Sequence, residues 1–406
     1  MTRRRGQSGG RPDRIVAEAS DWCVMGQSVR GAAHLRAGLP NQDAILWVPE
    51  SGEGPPLILA VSDGHGSPKS FRSHLGASFA VQAMISLVQE LVDVLRPGRD
   101  LSYAKRTAEE RLPRELVRRW QEAVDQHWES APVTEAELTR LLEERGETGR
   151  QQVEENPRIA YGATILAAVV TGDFLLFVQL GDGDILMVRE NGEVQRPLPR
   201  DPRLIANETT SLCMKDAWAE MRTRFQVRHG EVPAMIMLST DGYANSFVNE
   251  DAFLKVGADL LALLQEEGDE SVRLNLPGWL EEASHAGSGD DITVGILYRR
   301  DILNTRHVPT ADGGERGSVD VSETGSQPES EMGADDKALA GASGERSPGE
   351  QERLADEGGR GDNRPEATAP DETAEAHRKK VLELNKGEAP REPVRKGKPS
   401  DIPDHV

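Results

Sequence analysis

The sequence predicts an α+β fold in which strands and helices form largely antiparallel layers rather than a doubly wound parallel sheet. Three observations lead there. Short apolar runs end abruptly in Asp, Gly or Asn, as buried strands feeding loops do. Groups of such runs alternate with groups of helical stretches. The strands across 165–189 follow one another as hairpins, with Thr171-Gly172-Asp173 as a turn.

Along the chain, the first apolar run, 57–61, leads into Ser62-Asp63-Gly64. Residues 71–95 place Leu75, Phe79, Ala83, Leu87, Leu91 and Leu95 four apart, an apolar stripe suited to a helix lying on a sheet. Residues 104–155 are dense in Arg, Glu and Leu and read as further helices, broken at Pro113 and Pro132. Trp120 and Trp128 are eight apart there, on nearly one helical face, and are expected in the core. The run 174–180 ends in Gly181-Asp182-Gly183, and a loop rich in Pro197, Pro199 and Pro202 follows. The run 235–238 leads to Ser239-Thr240-Asp241-Gly242, residues 252–264 and 279–285 form a second helical group, and the strand 292–298 follows Asp290-Asp291.

Every Phe, Trp, Tyr and Cys lies at or before Tyr298, whereas 301–406 are rich in Gly, Glu, Asp, Ser, Pro, Lys and Arg. Such a segment has too little apolar surface to offset the entropy of ordering it. The expected organisation is a disordered N-terminus at 1–14, one folded unit at 15–300 and a disordered charged tail at 301–406. The tail's one short apolar cluster is Val381-Leu382-Glu383-Leu384. A formal net charge of −21 argues against general nucleic-acid or anionic-membrane binding, both of which need a cationic surface. Two cysteines, Cys23 and Cys213, make neither a disulfide framework nor a thiolate zinc site, which favours a reducing compartment. With a polar, Arg-rich start and no run of the roughly 18 residues a spanning helix needs, the cytoplasm is the expected location.

Four Asp-containing turns lie far apart in sequence: Asn41-Gln42-Asp43, Asp63-Gly64-His65-Gly66, Asp241-Gly242 and Gly289-Asp290-Asp291. Each alone is an ordinary turn. Together they supply carboxylates and turn carbonyls, the hard oxygen ligands that Mg²⁺ and Mn²⁺ prefer, with no competing thiolate or multi-His cluster. A two-metal oxygen site is the inference.

The ordered set Ser62-Asp63-Gly64-His65-Gly66, Tyr161-Gly162-Ala163-Thr164, Gly181-Asp182-Gly183, Leu238-Ser239-Thr240-Asp241-Gly242 and Asp290-Asp291-Ile292-Thr293-Val294 resembles the successive motifs of the protein phosphatase 2C family, over roughly residues 24–298. The resemblance implies an αββα sandwich of two antiparallel β-sheets flanked by helices, with a binuclear Mg²⁺ or Mn²⁺ centre at one end of the strands. By the same resemblance Asp63 bridges the two ions, the Gly64 carbonyl helps hold the second, and Asp241 and Asp290 complete the first ion's shell. Asp43 acts through metal-bound water, Asp182 serves a third ion, and the role of Asp291 is open. Two cations lower the pKa of a bridging water and screen its approach to a phosphate dianion. The serine or threonine alkoxide that leaves benefits from a proton donor, for which His65, two residues from Asp63, is the candidate.

Where many members carry a phosphate-binding Arg five residues before Asp43, this chain has Gly38, and the segment 31–43 is more similar to a bacterial branch of the family. Arg36 or His34 is then the candidate phosphate contact, Arg36 being better suited because its fork takes two phosphate oxygens. Gln42 stands where some members place a metal-binding Glu. The resemblance also suggests a flap over 197–220. The implied activity is dephosphorylation of phosphoserine and phosphothreonine in proteins, opposite a cognate Ser/Thr kinase. Hydrolysis of another phosphoester and a metal-poor pseudophosphatase that binds phosphoproteins are the alternatives.

Overall fold

Alternation of single residues sorts the strands into layers in the computed structural model, which describes residues 22–94, 101–201, 209–228 and 232–304. In β3 (Leu57–Ser62), Leu57, Leu59 and Val61 pack into the core between two sheets, whereas Ile58 and Ala60 pack under helices. In β4 (Ile165–Val170), Leu166, Ala168 and Val170 face inward and Ile165, Ala167 and Val169 face helices. Across the sandwich in β9 (Met235–Ser239), Ile236 and Leu238 meet that inner core while Met235 and Met237 pack beneath the other helical layer. Both faces of these strands are covered, so they read as continuous apolar runs.

One sheet has the order β2 (Ala44–Val48), β3, β4, β5 (Phe174–Leu180), β8 (Arg222–Val227). The other has the order β1 (Trp22–Val29), β10 (Ile292–Arg299), β9, β6 (Asp184–Val188), β7 (Val194–Gln195). Every pairing is antiparallel. After the short α1 (Ala32–Ala37), the β2 sheet is covered by α2 (Ser73–Val94), α4 (Leu112–Ser130) and α5 (Glu135–Glu155), with α3 (Leu101–Arg106) joined to α4 through a π-helical turn. Two short helices, α6 (Ala217–Glu220) and α7 (Asp241–Ala244), precede α8 (Glu250–Glu267) and α9 (Asp269–Ala286), which cover the β1 sheet. The fold is the αββα sandwich that the motifs implied.

By length and composition α2 is apolar enough to cross a membrane, unlike the expectation of no such run. Its apolar side, including Ala77, Val81, Met84 and Val88, is instead filled by the β2 sheet and α4. Trp120 is fully buried with its Nε1–H donating to the Gly76 carbonyl at 2.9 Å, while Trp128 is partly buried beside the Arg72 guanidinium.

One expected hairpin is corrected. β4 and β5 do pair across the Thr171 turn, but β5 and β6 lie in different sheets, and Gly181-Asp182-Gly183 carries the chain across the sandwich. Gly181 has φ 109°, and a Cβ at Gly183 would stand 2.7 Å from the Ser239 carbonyl oxygen, so the crossing needs glycine on both sides of Asp182. The expected segment 1–14, and the tail beyond residue 304, lie outside the described residues, as do 202–208 of the expected flap. The described part of that flap is docked: Leu212 is buried with its N–H on the Ala163 carbonyl at 2.9 Å, and the Thr210 hydroxyl accepts the Gly181 N–H at 2.9 Å.

Candidate metal centre

The ends of β3 and β9 and the loops before β2 and β10 converge at one end of the sandwich. Asp63 leaves β3 tied to the neighbouring strand: its N–H donates to Thr164 Oγ1 at 3.0 Å and its carbonyl accepts the Thr164 N–H at 2.8 Å. Gly64 extends that pairing through a bridge to Ala163, and a Cβ there would lie 2.5 Å from the Gln42 carbonyl oxygen. His65 follows with its N–H on the Gly162 carbonyl at 3.0 Å.

Asp241 opens α7 just after β9, and Asn245 Nδ2 donates to its Oδ2 at 2.9 Å. Asp43, at the start of β2, accepts at Oδ2 from Thr240 Oγ1 at 2.9 Å and from Thr293 Oγ1 at 2.8 Å. The Asp290 carboxylate accepts the Asp291 N–H at 2.9 Å and its carbonyl accepts the Ser284 hydroxyl at 2.8 Å. Asp182, in the crossing between sheets, sits close enough for its charge to act on His65, Asp241 and Asp290.

These carboxylates raise one another's proton affinity. Burial pushes Asp63 well above the usual carboxylate range, and the charges of Asp43, Asp241 and Asp290 push it further. Burial likewise raises Asp43, against the hydrogen bond from Thr293, and raises Asp241 and Asp290. The charge of Asp241 acts on Asp63, and like charges so placed resist ionising together unless a proton or a cation lies between them. Burial holds His65 below the usual histidine range, opposed by Asp182, and its Nε2 is buried without a protein partner.

The donor set fits hard divalent cations: several carboxylates from separate elements, a turn carbonyl at Gly64, and the buried, unpartnered Gln42 Oε1 nearby. Among the described residues, His34, Asp290 and Asp291 bring ligand atoms within 4.8 Å of one another. Both Asp291 oxygens already accept protein N–H groups and His34 Nδ1 is bonded to Asp291 at 2.8 Å, so His34 and Asp291 form a wall of the site and leave Asp290 available to a cation. The candidate phosphate contacts therefore stand apart: His34 is buried in that wall, and Arg36 is exposed on the last turn of α1.

Residues 30–281, more than half of the chain, match the family described as protein phosphatase 2C. The chain belongs to the protein phosphatase 2C family. It is thus a protein serine/threonine phosphatase of the kind that uses Mg²⁺ or Mn²⁺. No match was found among curated proteins. Similar solved structures include the catalytic domain of the phosphatase PstP in complex with two manganese ions, 20% identical over 68% of this chain and 97% of that one, TM-score 0.39. The Mycobacterium tuberculosis serine/threonine phosphatase PstP/Ppp is 19% identical over 68% and 98%, TM-score 0.40. Stp1 from Staphylococcus aureus is 12% identical over 73% and 99%, TM-score 0.42.

Within this protein phosphatase 2C site, the hydroxyls of Thr164, Thr240 and Thr293 were not among the expected residues. Their signal lay in the motifs themselves, because each threonine sits within three residues of a glycine-flanked or acidic turn and faces a strand end. Thr240 Oγ1 both donates to Asp43 and accepts the Thr293 N–H at 2.9 Å, so two strand ends and one carboxylate share a single hydroxyl.

Proposed function

We propose that this phosphatase hydrolyses phosphoserine and phosphothreonine in proteins at a binuclear Mg²⁺ or Mn²⁺ centre. The observation that carries this reading is the convergence of Asp43, Asp63, Asp241 and Asp290, from four separate parts of the chain, into one cluster whose mutual repulsion calls for cations. Asp63, the Gly64 carbonyl, Asp241 and Asp290 would hold the ions, with Asp43 and Asp182 contributing negative charge around them. Bound there, the two ions would supply positive charge that acidifies water and screens an incoming phosphate dianion.

This chain's own residues do the rest. His65 is the proton donor for the departing alkoxide. Burial lowers the ring's proton affinity, and the negative charge of an arriving phosphate, added to that of Asp182, raises it when a donor is needed. Arg36, exposed on the last turn of α1, is the candidate contact for the phosphate or the phosphopeptide around it. The acidic cluster excludes anions until cations neutralise it, which makes substrate binding follow metal binding.

Phosphate release from a phosphothreonine peptide, by the full chain with Mn²⁺ and with EDTA and alongside Asp63→Asn, tests the reading. Release that needs Mn²⁺ and vanishes in the variant is expected. Release unaffected by EDTA would reject the metal assignment.

A further inference from the structure

Three N–H donors from one segment, residues 31–42, converge on the carboxylate of the sequence-distant Asp291, whose side chain is 2% exposed. Oδ1 accepts the Gly31 N–H at 2.6 Å; Oδ2 accepts the Gln42 N–H at 2.6 Å and His34 Nδ1 at 2.8 Å. Gly31 caps α1, and a Cβ on it would meet the Asp290 carbonyl carbon at 2.3 Å and the Asp291 nitrogen at 2.5 Å, so the two backbones touch directly. The next two amides of α1 are fastened to the same region, Ala32 N–H to Ser284 Oγ at 3.0 Å and Ala33 N–H to the Gly289 carbonyl at 2.8 Å. Each attachment lies beside a residue of the acidic cluster: Gln42 precedes Asp43, and Asp290 precedes Asp291.

We propose that Asp291 is the positioning residue of the centre, a clasp that holds α1 and the Gln42–Asp43 turn against the Asp290 loop and so fixes where the Asp43 and Asp290 carboxylates stand. His34 completes the clasp as its side-chain donor. The clasp's geometry is independent of the phosphatase reading, and its effect on turnover rests on that reading. A carboxylate is required, because three donors need acceptors on both oxygens. The amide of Asn would turn an NH₂ toward a backbone N–H at 2.6 Å.

Asp291→Asn, nearly the same shape, is the main variant in the full chain, and His34→Phe is the second should the first fail to fold. Hydrogen exchange of the Gly31 and Gln42 amides is followed without metal, Mn²⁺ binding by calorimetry, and kcat and KM on a phosphothreonine peptide across Mn²⁺ concentrations. Exchange at both amides is expected to quicken about tenfold or more, and the Mn²⁺ Kd to rise about 10- to 100-fold, the range lost when residues supporting metal ligands are changed. Excess Mn²⁺ should restore part of kcat with KM little altered. A folded variant with wild-type amide exchange and wild-type Mn²⁺ Kd overturns the proposal, as does one whose Mn²⁺ stoichiometry falls while Kd is unchanged. If the wild-type chain neither binds Mn²⁺ nor releases phosphate, the phosphatase reading fails, and amide exchange still decides the clasp.

Discussion

Asp63 is buried and faces the charges of Asp43, Asp241 and Asp290, and that makes two opposite outcomes of one substitution. Asp63→Asn should abolish metal-dependent turnover, yet raise the metal-free Tm by about 2–4 °C, since removing one charge relieves Asp43, Asp241 and Asp290. Differential scanning calorimetry with EDTA checks this, and a lowered Tm would mean the cluster is not under repulsion. The sign of the pH dependence follows. The folded state of Asp43 and Asp63 binds protons more tightly than the unfolded chain, so metal-free stability should fall as pH rises above about 4 through their raised pKa values. Asp63→Asn should flatten that slope. His65→Ala should slow an alkyl phosphate ester far more than p-nitrophenyl phosphate, whose leaving group departs without a proton; equal losses would remove His65 from the donor role. The aspartates were legible in the sequence because each follows or precedes an apolar strand inside a turn. The work of Asp291 was not, since adjacent Asp residues look alike until one is seen with both oxygens taken by N–H donors.

At the scale of elements, the helical layer over the β2 sheet is pinned by a buried cation. Arg72, 5% exposed, bonds through Nε and Nη2 to Glu137 at 2.8 and 2.9 Å and through Nη1 to the Ala131 carbonyl and the Tyr161 hydroxyl. Glu137 also forms the capping box that starts α5 with Thr134. Burial works against its charge, but the hydrogen bonds of Arg72 and Thr134 hold its carboxyl down at about 2. A depressed acid stabilises the fold above its unfolded pKa and loses that contribution as pH falls from about 4 toward 2. Glu137→Gln should therefore lower Tm at pH 7 by about 3 °C or more, because Arg72 is left buried without its counter-charge, and the difference from wild type should shrink below pH 4. Thermal melts across pH test it. The helices were legible from spacing and from Pro113, whereas β8, with its Arg-Thr-Arg-Phe-Gln-Val sequence at a sheet edge, carried no apolar run to mark it.

Across the whole molecule, the layers followed from the motifs, but which strand joins which sheet did not. Strands covered on both faces are apolar throughout, and the crossing at Gly181-Asp182-Gly183 has the composition of a hairpin turn. β10 lies between β1 and β9, so a chain ending after Asp291 should fail to fold while one ending after Asn304 keeps the domain, as circular dichroism would show. β1 and β10 pair along their full length, from Trp22 opposite Arg299 to Val29 opposite Ile292. That register closes a loop of more than 260 residues, the kind of long-range contact that slows folding. During synthesis the first strand must wait, its edge unpaired, until nearly the whole domain has been made. The acidic centre, which draws on residues from 43 to 290, comes together only at that closing step, so no shorter nascent chain can carry the phosphatase's metal site.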